Sequence, residues 1–185
     1  MLFIYTHKIT HRNKYVFNLI FKDILCIDFA LTSDVEQFQA FEGAKMSYTN
    51  NPIADELFFT SRNLLFETGI TEQNISVFDL NDSKVFFATG KSSALSFDVF
   101  AASFYLVSRY EEYLPHIRDE HDRFDAKDSL AFTNGFLHKP VVNTWAIWIK
   151  ELLSKKYHQL VFPIRKYKFI STIDIDNAYA YREKG

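Results

Sequence analysis

The sequence predicts an α/β protein in which a mixed sheet is covered by about three main helices. Strand-like and helix-like segments alternate along the 185 residues, without internal repeats or low-complexity tracts. The hydrophobic content of 48% is that of a folded globular chain of ordinary domain size. Phe and Tyr are abundant, at 20 and 10 residues, so we expect a core of large aromatic side chains. An α+β arrangement is the alternative.

The first elements follow from hydrophobic spacing. An apolar run predicts a strand from Leu2 to Tyr5, and apolar residues three and four apart predict an amphipathic helix from Arg12 to Leu25. The β-branched and aromatic stretch from Cys26 to Leu31 is typical of a strand. Thr32-Ser33-Asp34 then offers an N-cap for a short helix from Val35 to Phe41.

Short strands are predicted in the middle of the chain. The first is Lys45 to Tyr48, which ends before the loop Asn50-Asn51-Pro52. Turn residues such as Gly69 and Asn81-Asp82 separate four further strand-like runs, at Glu56 to Thr60, Leu64 to Phe66, Ile75 to Asp79 and Lys84 to Ala88.

Two longer helices and a last strand complete the predicted fold. Ser96 or Asp98 is placed to cap a helix from Val99 to Leu114, whose first half is apolar on nearly every side and therefore buried. Another helix covers Val141 to Lys156, with basic residues in its last turn that complement the helix dipole. An apolar run predicts a strand from Lys168 to Ile175.

Charge and composition exclude several classes of function. Lys and Arg number 21 against 23 Asp and Glu, and no basic block would neutralise a phosphate backbone, so we expect no nucleic-acid partner. The longest apolar run, Val99 to Val107, is too short to cross a bilayer. Met1 to Tyr5 lacks the basic leader of a signal peptide, so we expect a cytoplasmic protein. The single cysteine, Cys26, excludes an internal disulfide, and we expect it to be buried.

Charged and aromatic residues mix between Arg109 and Tyr113, at the end of the third predicted helix. Arg109 is spaced to pair with Glu112 or to stack on Tyr113 one turn further on. Such a cluster commonly anchors a helix to its neighbours. The alternative is a binding surface for a sugar or a neighbouring domain, built from Arg109, Tyr110, Glu112 and Tyr113.

The last predicted strand finishes on two carboxylates, Asp174 and Asp176. Residues two apart on a strand point to the same side, so the pair is placed to hold one hard cation and a water. A plain acidic strand end is the alternative. A haloacid-dehalogenase phosphatase motif is disfavoured by Ala178, and a glycosyltransferase by the lack of a preceding Gly-rich phosphate loop.

A family resemblance is carried by the same residues. The stretch Thr172-Ile173-Asp174-Ile175-Asp176-Asn177-Ala178 resembles the opening catalytic motif of polysaccharide deacetylases, which are metal-dependent carbohydrate esterases with a distorted (β/α) barrel. Upstream, the stretches from Phe97 to Pro115 and from Ser129 to Phe132 resemble the N-terminal region that precedes such a domain in Bacteroidetes-type deacetylase-like proteins.

This resemblance implies a division of the chain and roles for the two carboxylates. Residues 1–167 would form an accessory domain, and residues 168–185 the first strand and loop of a deacetylase-like domain. Asp174 matches the general base that activates water. Asp176 matches the aspartate that binds a divalent metal, usually zinc, beside two histidines of a later His-x-x-x-His segment.

The implied activity is hydrolysis of N-acetyl groups on a glycan by the full-length protein. No His-x-x-x-His segment follows Asp176 within the 185 residues, so we expect neither metal binding nor catalysis from this fragment alone. The implied partners are a downstream catalytic barrel in the same chain and a polysaccharide. For the accessory domain itself, a glycan- or partner-binding module and a purely structural support both remain alternatives.

Overall fold

The α/β class is confirmed by a computed structural model, which describes residues 1–164 and 166–174. Its strands are β1 (Leu2–Thr6), β2 (Phe29–Thr32), β3 (Lys45–Thr49), β4 (Leu57–Thr60), β5 (Phe78–Leu80) and β6 (Ser83–Val85). The first four are parallel and form the main sheet, in the spatial order β2-β1-β3-β4. The last two form a separate antiparallel hairpin, so the parallel and antiparallel pairs belong to different sheets.

Five α-helices lie within the described residues, and all three longer predicted helices are present at least in part. The helices are α1 (His11–Phe17), α2 (Val35–Ala40), α3 (Val99–Val107), α4 (Leu130–Thr133) and α5 (Val141–Lys156). Asp34 caps α2 and Asp98 caps α3, as predicted, because each carboxylate accepts two backbone N–H groups of the first turn.

The first helix begins as an α-helix and continues as a π-helix. Thr10 and Asn13 form a capping box at its start, and α1 continues as a π-helical segment over Asn18–Ile24. The predicted helix from Arg12 to Leu25 is thus confirmed. Cys26 follows with a φ of 56°, in the left-handed conformation that ends helices. Its position just past the helix end leaves the cysteine exposed, so the prediction of a buried thiol was wrong.

An aromatic core joins the helices to the parallel sheet, as the composition predicted. The ring of Phe100 in α3 lies 4.9 Å from that of Phe17 in α1. It also lies 5.2 Å from Tyr48 in β3 and 5.3 Å from Phe59 in β4, measured between ring centroids. Edge-to-face contacts of this kind add to the burial of apolar area. Phe100 therefore ties both helices to the centre of the sheet.

The connection from β3 to the parallel strand β4 is unusually short for a parallel crossover, because it spans only residues 50–56. Glu56 holds this loop closed from inside. Its carboxylate accepts hydrogen bonds from the Ser47 hydroxyl, from Ile53 N at 2.8 Å and from Ala54 N at 2.7 Å. On the outer side of β4, Ala94 N donates to Phe58 O at 2.8 Å.

One strand predicted in the middle of the chain is a turn in the structure, and one predicted helix ends early. Leu64 to Phe66 is not a strand: residues Asn63–Leu65 form a 3-10 turn, which lets the adjacent side chains of Leu64 and Leu65 both be buried. The helix predicted from Val99 to Leu114 ends at Val107, because Arg109 adopts a left-handed conformation with a φ of 54°. A separate 3-10 turn then covers Tyr110–Tyr113.

The end of the described chain is extended and exposed. The strand predicted from Lys168 to Ile175 is not formed over residues 168–174, which pair with no other strand. Phe169, Ile170 and Ile173 are all exposed there. A strand needs a paired neighbour, and the part of the chain described here supplies none to this segment. Within the described ranges, no helix is long and apolar enough to span a bilayer.

Candidate functional site

The usual ligand position of a parallel sheet is closed in this fold. Such sheets bind ligands at the carboxyl ends of their strands, where the strand order reverses, which is here between β1 and β3. The turn at residues 63–66 covers that point. The rings of Phe66 and His7 lie 4.1 Å apart, and the Thr10 hydroxyl donates to Leu65 O at 2.6 Å. The open polar surface therefore lies one strand further along, where β4 ends.

A cleft of about 330 Å³ opens at this end of β4. Most of its lining residues are polar, and one is aromatic; we call it the polar cleft. Its lining consists of Ser61, Arg62, Asn63, Glu67, Gln73, Asn74 and Phe87.

A buried carboxylate forms the base on which the polar cleft is built. Asp98 is almost completely buried and accepts four hydrogen bonds. Tyr48 Oη donates to its Oδ2 at 2.7 Å and Arg62 N donates to the same oxygen at 2.6 Å. The N–H groups of Phe100 and Ala101 donate to Oδ1. One side chain thus joins β3, the first turn of α3 and the backbone of the cleft.

Burial sets the protonation states of Asp98 and Tyr48. Desolvation raises the pKa of Asp98 to about 6, although the hydrogen bonds from Ala101, Arg62, Tyr48 and Phe100 favour its ionised form. Burial and then the charge of Asp98 raise the pKa of Tyr48 well above its ordinary value. Near neutral pH the pair is an ionised carboxylate and a neutral phenol, and the phenol donates to the carboxylate.

Arg62 and Glu67 are fixed in the cleft without neutralising each other. The Arg62 guanidinium donates to Ala88 O, and Glu67 Oε2 accepts from Thr71 Oγ1 at 3.0 Å and from Gln73 Nε2 at 3.2 Å. Neither residue takes part in an ion pair with any described residue. Both charges consequently remain open to a bound molecule.

Backbone strain accompanies the cleft at Phe87. Its φ of 63° lies in the left-handed region, which bulky side chains rarely adopt. The conformation is held by Asp98 N, which donates to Phe87 O at 2.9 Å, and by the packing of its ring against Phe86 and Tyr105. Strain of this kind persists where surrounding contacts impose it, often beside functional sites.

The structure separates the residues of the predicted aromatic binding surface. Tyr110 is only 1% exposed, whereas Tyr113 is 68% exposed, so the two rings do not share a surface. Arg109 donates to Glu112 Oε1 through Nε at 2.6 Å, which confirms the predicted pairing of these two residues. The binding role of this cluster stays a prediction.

Tyr110 has a supporting position behind the polar cleft. Its Oη accepts a hydrogen bond from Thr71 N at 2.9 Å and donates to Thr71 O at 3.1 Å. Thr71 is also the residue whose hydroxyl donates to Glu67. The buried phenol therefore anchors the segment that carries the cleft's carboxylate.

Of the two carboxylates at the end of the chain, the structure describes one. Asp174 lies exposed in the unpaired segment, and Asp176 lies outside the described residues. Catalytic zinc takes three protein ligands. Over residues 1–164 and 166–174, no group of three His, Cys, Asp or Glu side chains is arranged to hold a metal ion. The described residues do not by themselves fit a zinc site.

Sequence reasoning missed the two charged residues of the polar cleft. Ser61-Arg62-Asn63 directly follows the strand that ends at Thr60, and polar residues at the carboxyl end of a parallel strand are the signal that would have found Arg62. Nothing local to Glu67 indicates that it faces the same cleft.

The fold and the polar cleft together define a parallel-sheet α/β domain with a preformed polar site at the carboxyl edge of its sheet. The chain belongs to DUF7033, a family of unknown function, whose model matches residues 2–158. The match begins at β1 and ends just after α5. Searches of the curated proteins and of the solved structures found no match.

Proposed function

We propose that residues 1–167 are a non-catalytic accessory domain of a metal-dependent polysaccharide deacetylase. The observation that carries the proposal is the Asp174-Ile175-Asp176 motif, which resembles the first catalytic motif of those enzymes and begins 16 positions after the family region ends at residue 158. In this proposal the full-length protein hydrolyses N-acetyl groups on a glycan. The catalytic barrel lies downstream in the same chain.

The folded core supports the position of the division. The last buried apolar residue of the described chain is Leu160, and residues 168–174 are exposed. The first strand of a following domain would pair with strands of that domain. It would therefore be apolar and would have no partner in the accessory domain, as these residues do.

The carboxylates would have separate roles in the complete enzyme. Asp174 would act as the general base, and Asp176 would be one ligand of a divalent metal, zinc in most such enzymes. Bound there, the metal would supply Lewis-acid polarisation of an acetyl carbonyl. A cytoplasmic location belongs to the same proposal, and fractionation of cells that make the native protein would test it.

The decisive test is the native gene together with one assay. The gene is expected to continue past residue 185 into a segment that contains His-x-x-x-His. The longer protein is expected to release acetate from N-acetylated chito-oligosaccharides, and Asp174→Asn and Asp176→Asn should each abolish that release. Asp28→Asn, at an exposed carboxylate in the accessory domain, is the matched control. A gene that ends at residue 185, or a continuation without the histidines, would refute the proposal.

A further inference from the structure

The polar cleft offers hydrogen-bonding groups that no part of the described chain uses. The side-chain amides of Asn63 and Asn74 make no hydrogen bond within the described residues, and Oε1 of Glu67 accepts none. One guanidinium nitrogen of Arg62 contacts Ala88 O, and the others have no described partner. Donors and acceptors therefore converge on one cleft without satisfying each other.

The two charged groups of the cleft are held in place before any ligand arrives. Arg62 is fixed at its backbone by Asp98 and at its guanidinium by Ala88. Glu67 is fixed by Thr71 and Gln73, and Tyr110 anchors Thr71 from the core. Because their rotamers are already restricted, binding would cost little side-chain entropy.

The charges of the cleft select the kind of ligand. Arg62 and Glu67 line the same cleft. The negative charge of Glu67 would repel a phosphate or another anion bound to Arg62, and the positive charge of Arg62 would repel a cation bound to Glu67. The amides of Asn63 and Asn74 need a ligand that both donates and accepts hydrogen bonds. A hydroxyl group does both without charge, and the several hydroxyls of a sugar ring can accept from a guanidinium and donate to a carboxylate in the same cleft. Phe87 adds an apolar part to the wall.

We propose that the polar cleft binds neutral sugar rings of a polysaccharide. Arg62, Glu67, Asn63 and Asn74 contact the hydroxyl groups, and Tyr110 is a positioning residue behind them. The hydroxyl-bearing class of ligand follows from the cleft alone. The choice of a polymeric glycan rests on the proposed function, which this site would serve by holding the chain of sugars near the downstream barrel.

Titration of the present chain with neutral oligosaccharides tests the proposal. The probes are N-acetylchitotetraose and cellotetraose, followed by amide chemical shifts and by calorimetry. Binding of at least one probe is expected, with shifts at residues 61–74. Arg62→Gln and Glu67→Gln should each weaken it roughly tenfold, as expected for losing a hydrogen bond to a charged group. Asn74→Ala, which removes no described internal contact, should weaken it as well.

Matched controls change a charge of the same kind elsewhere on the surface. Lys139→Gln and Glu42→Gln lie at exposed positions outside the cleft and should leave the affinity unchanged. Tyr110→Phe should weaken binding and should also broaden or move the amide signal of Thr71, which a role in overall stability alone would not do. Thermal unfolding verifies that each variant is folded.

Three results would overturn the assignment: no binding of either oligosaccharide at the highest soluble concentration, an affinity equal to the parent's in both the Arg62→Gln and Glu67→Gln variants, or displacement of the sugar by inorganic phosphate. The outcome is separable from that of the proposed function, because it needs neither the downstream segment nor acetate release. Sugar binding with no deacetylase segment in the gene would leave the cleft assigned and the accessory role refuted. Acetate release by the longer protein, with no sugar binding at the cleft, would leave the accessory role supported and the assignment of the cleft refuted.

Discussion

Tyr48 and Asp98 are 50 positions apart in the chain, and the phenol of one donates a 2.7 Å hydrogen bond to the carboxylate of the other inside the core. This contact joins the central strand β3 to the first turn of α3. A hydrogen bond to a buried charge is worth more than an average one, because a carboxylate that loses a donor cannot replace it with water. The stability of the whole sheet-helix junction therefore depends on it.

Removal of the Tyr48 hydroxyl should destabilise the protein measurably. We expect Tyr48→Phe to lower the free energy of unfolding by about 2 kcal/mol, the usual cost of a lost hydrogen bond to a charged group. Chemical denaturation monitored by circular dichroism measures it. Tyr15→Phe is the matched control, because Tyr15 is half exposed and should change stability by no more than about 0.5 kcal/mol. Equal losses in the two variants would contradict the prediction.

Stability should also depend on pH through Asp98. Its pKa in the folded protein is about 6, above the ordinary value of 3.8, so the folded state binds more protons between these two values. The free energy of unfolding should then decrease as pH rises from about 4 to about 6, by a contribution on the order of 3 kcal/mol, and stay level above that. Asp98→Asn removes this titration.

The quantity to measure is the difference in the free energy of unfolding between the parent and the Asp98→Asn variant. Unfolding by denaturant is followed across this pH range for the parent chain and for Asp98→Asn, so that the other titrating groups cancel. The parent should lose stability relative to the variant as pH rises through the window. Parallel pH profiles for the two proteins would show that Asp98 does not titrate there.

Glu56 should have the opposite pH dependence. Burial acts to raise its pKa, but hydrogen bonds from Ser47, Ile53 and Ala54 outweigh burial and lower it. A lowered folded pKa means that the stabilisation is present above the unfolded value near 4.5 and is lost as pH falls through the folded pKa.

Loss of the Glu56 carboxylate should open the short connection between β3 and β4. Glu56→Ala is expected to cost about 2 kcal/mol at neutral pH and to increase protease cleavage within residues 50–56. Thermal unfolding and limited proteolysis measure the two effects. Glu42→Ala, at an exposed glutamate, serves as the control. An unchanged cleavage rate in Glu56→Ala would show that the loop does not need this clamp.

A chain that ends at Tyr167 should be as stable as a chain that ends at Asp174. Residues 168–174 are exposed and form no hydrogen bond with the rest of the described structure, so their removal should take nothing from the core. Thermal unfolding of both chains should give midpoints that agree within measurement error. A clear loss of stability in the shorter chain would place part of this segment inside the folded domain.

The sequence predicted the elements whose signals are local. The strands Leu2 to Tyr5 and Lys45 to Tyr48, and the helix Val141 to Lys156, depend on the spacing of apolar residues, and all three are present. The break in the third helix was missed, because arginine has no local preference for the left-handed conformation that Arg109 adopts.

The polar cleft was missed for a different reason. Arg62 is positioned by Asp98, which is 36 residues away, and the segment that carries Glu67 is positioned by Tyr110, which is 39 residues from Thr71. Contacts across such separations depend on the packed fold and not on spacing along the chain. Of the predicted site residues, Tyr110 lies next to the cleft, but in the core and not on its surface.

The hydrogen bond from Ala94 to Phe58 has a consequence for how this fold can associate. Together with Ser93, whose hydroxyl accepts from Thr60 N, it occupies the outer margin of β4, while β2 at the other margin pairs with no described strand except β1. Exposed strand margins are where foreign strands join a sheet. A strand donated by a neighbouring molecule, or gained by insertion during evolution, would therefore extend this sheet at β2, on the side away from the polar cleft.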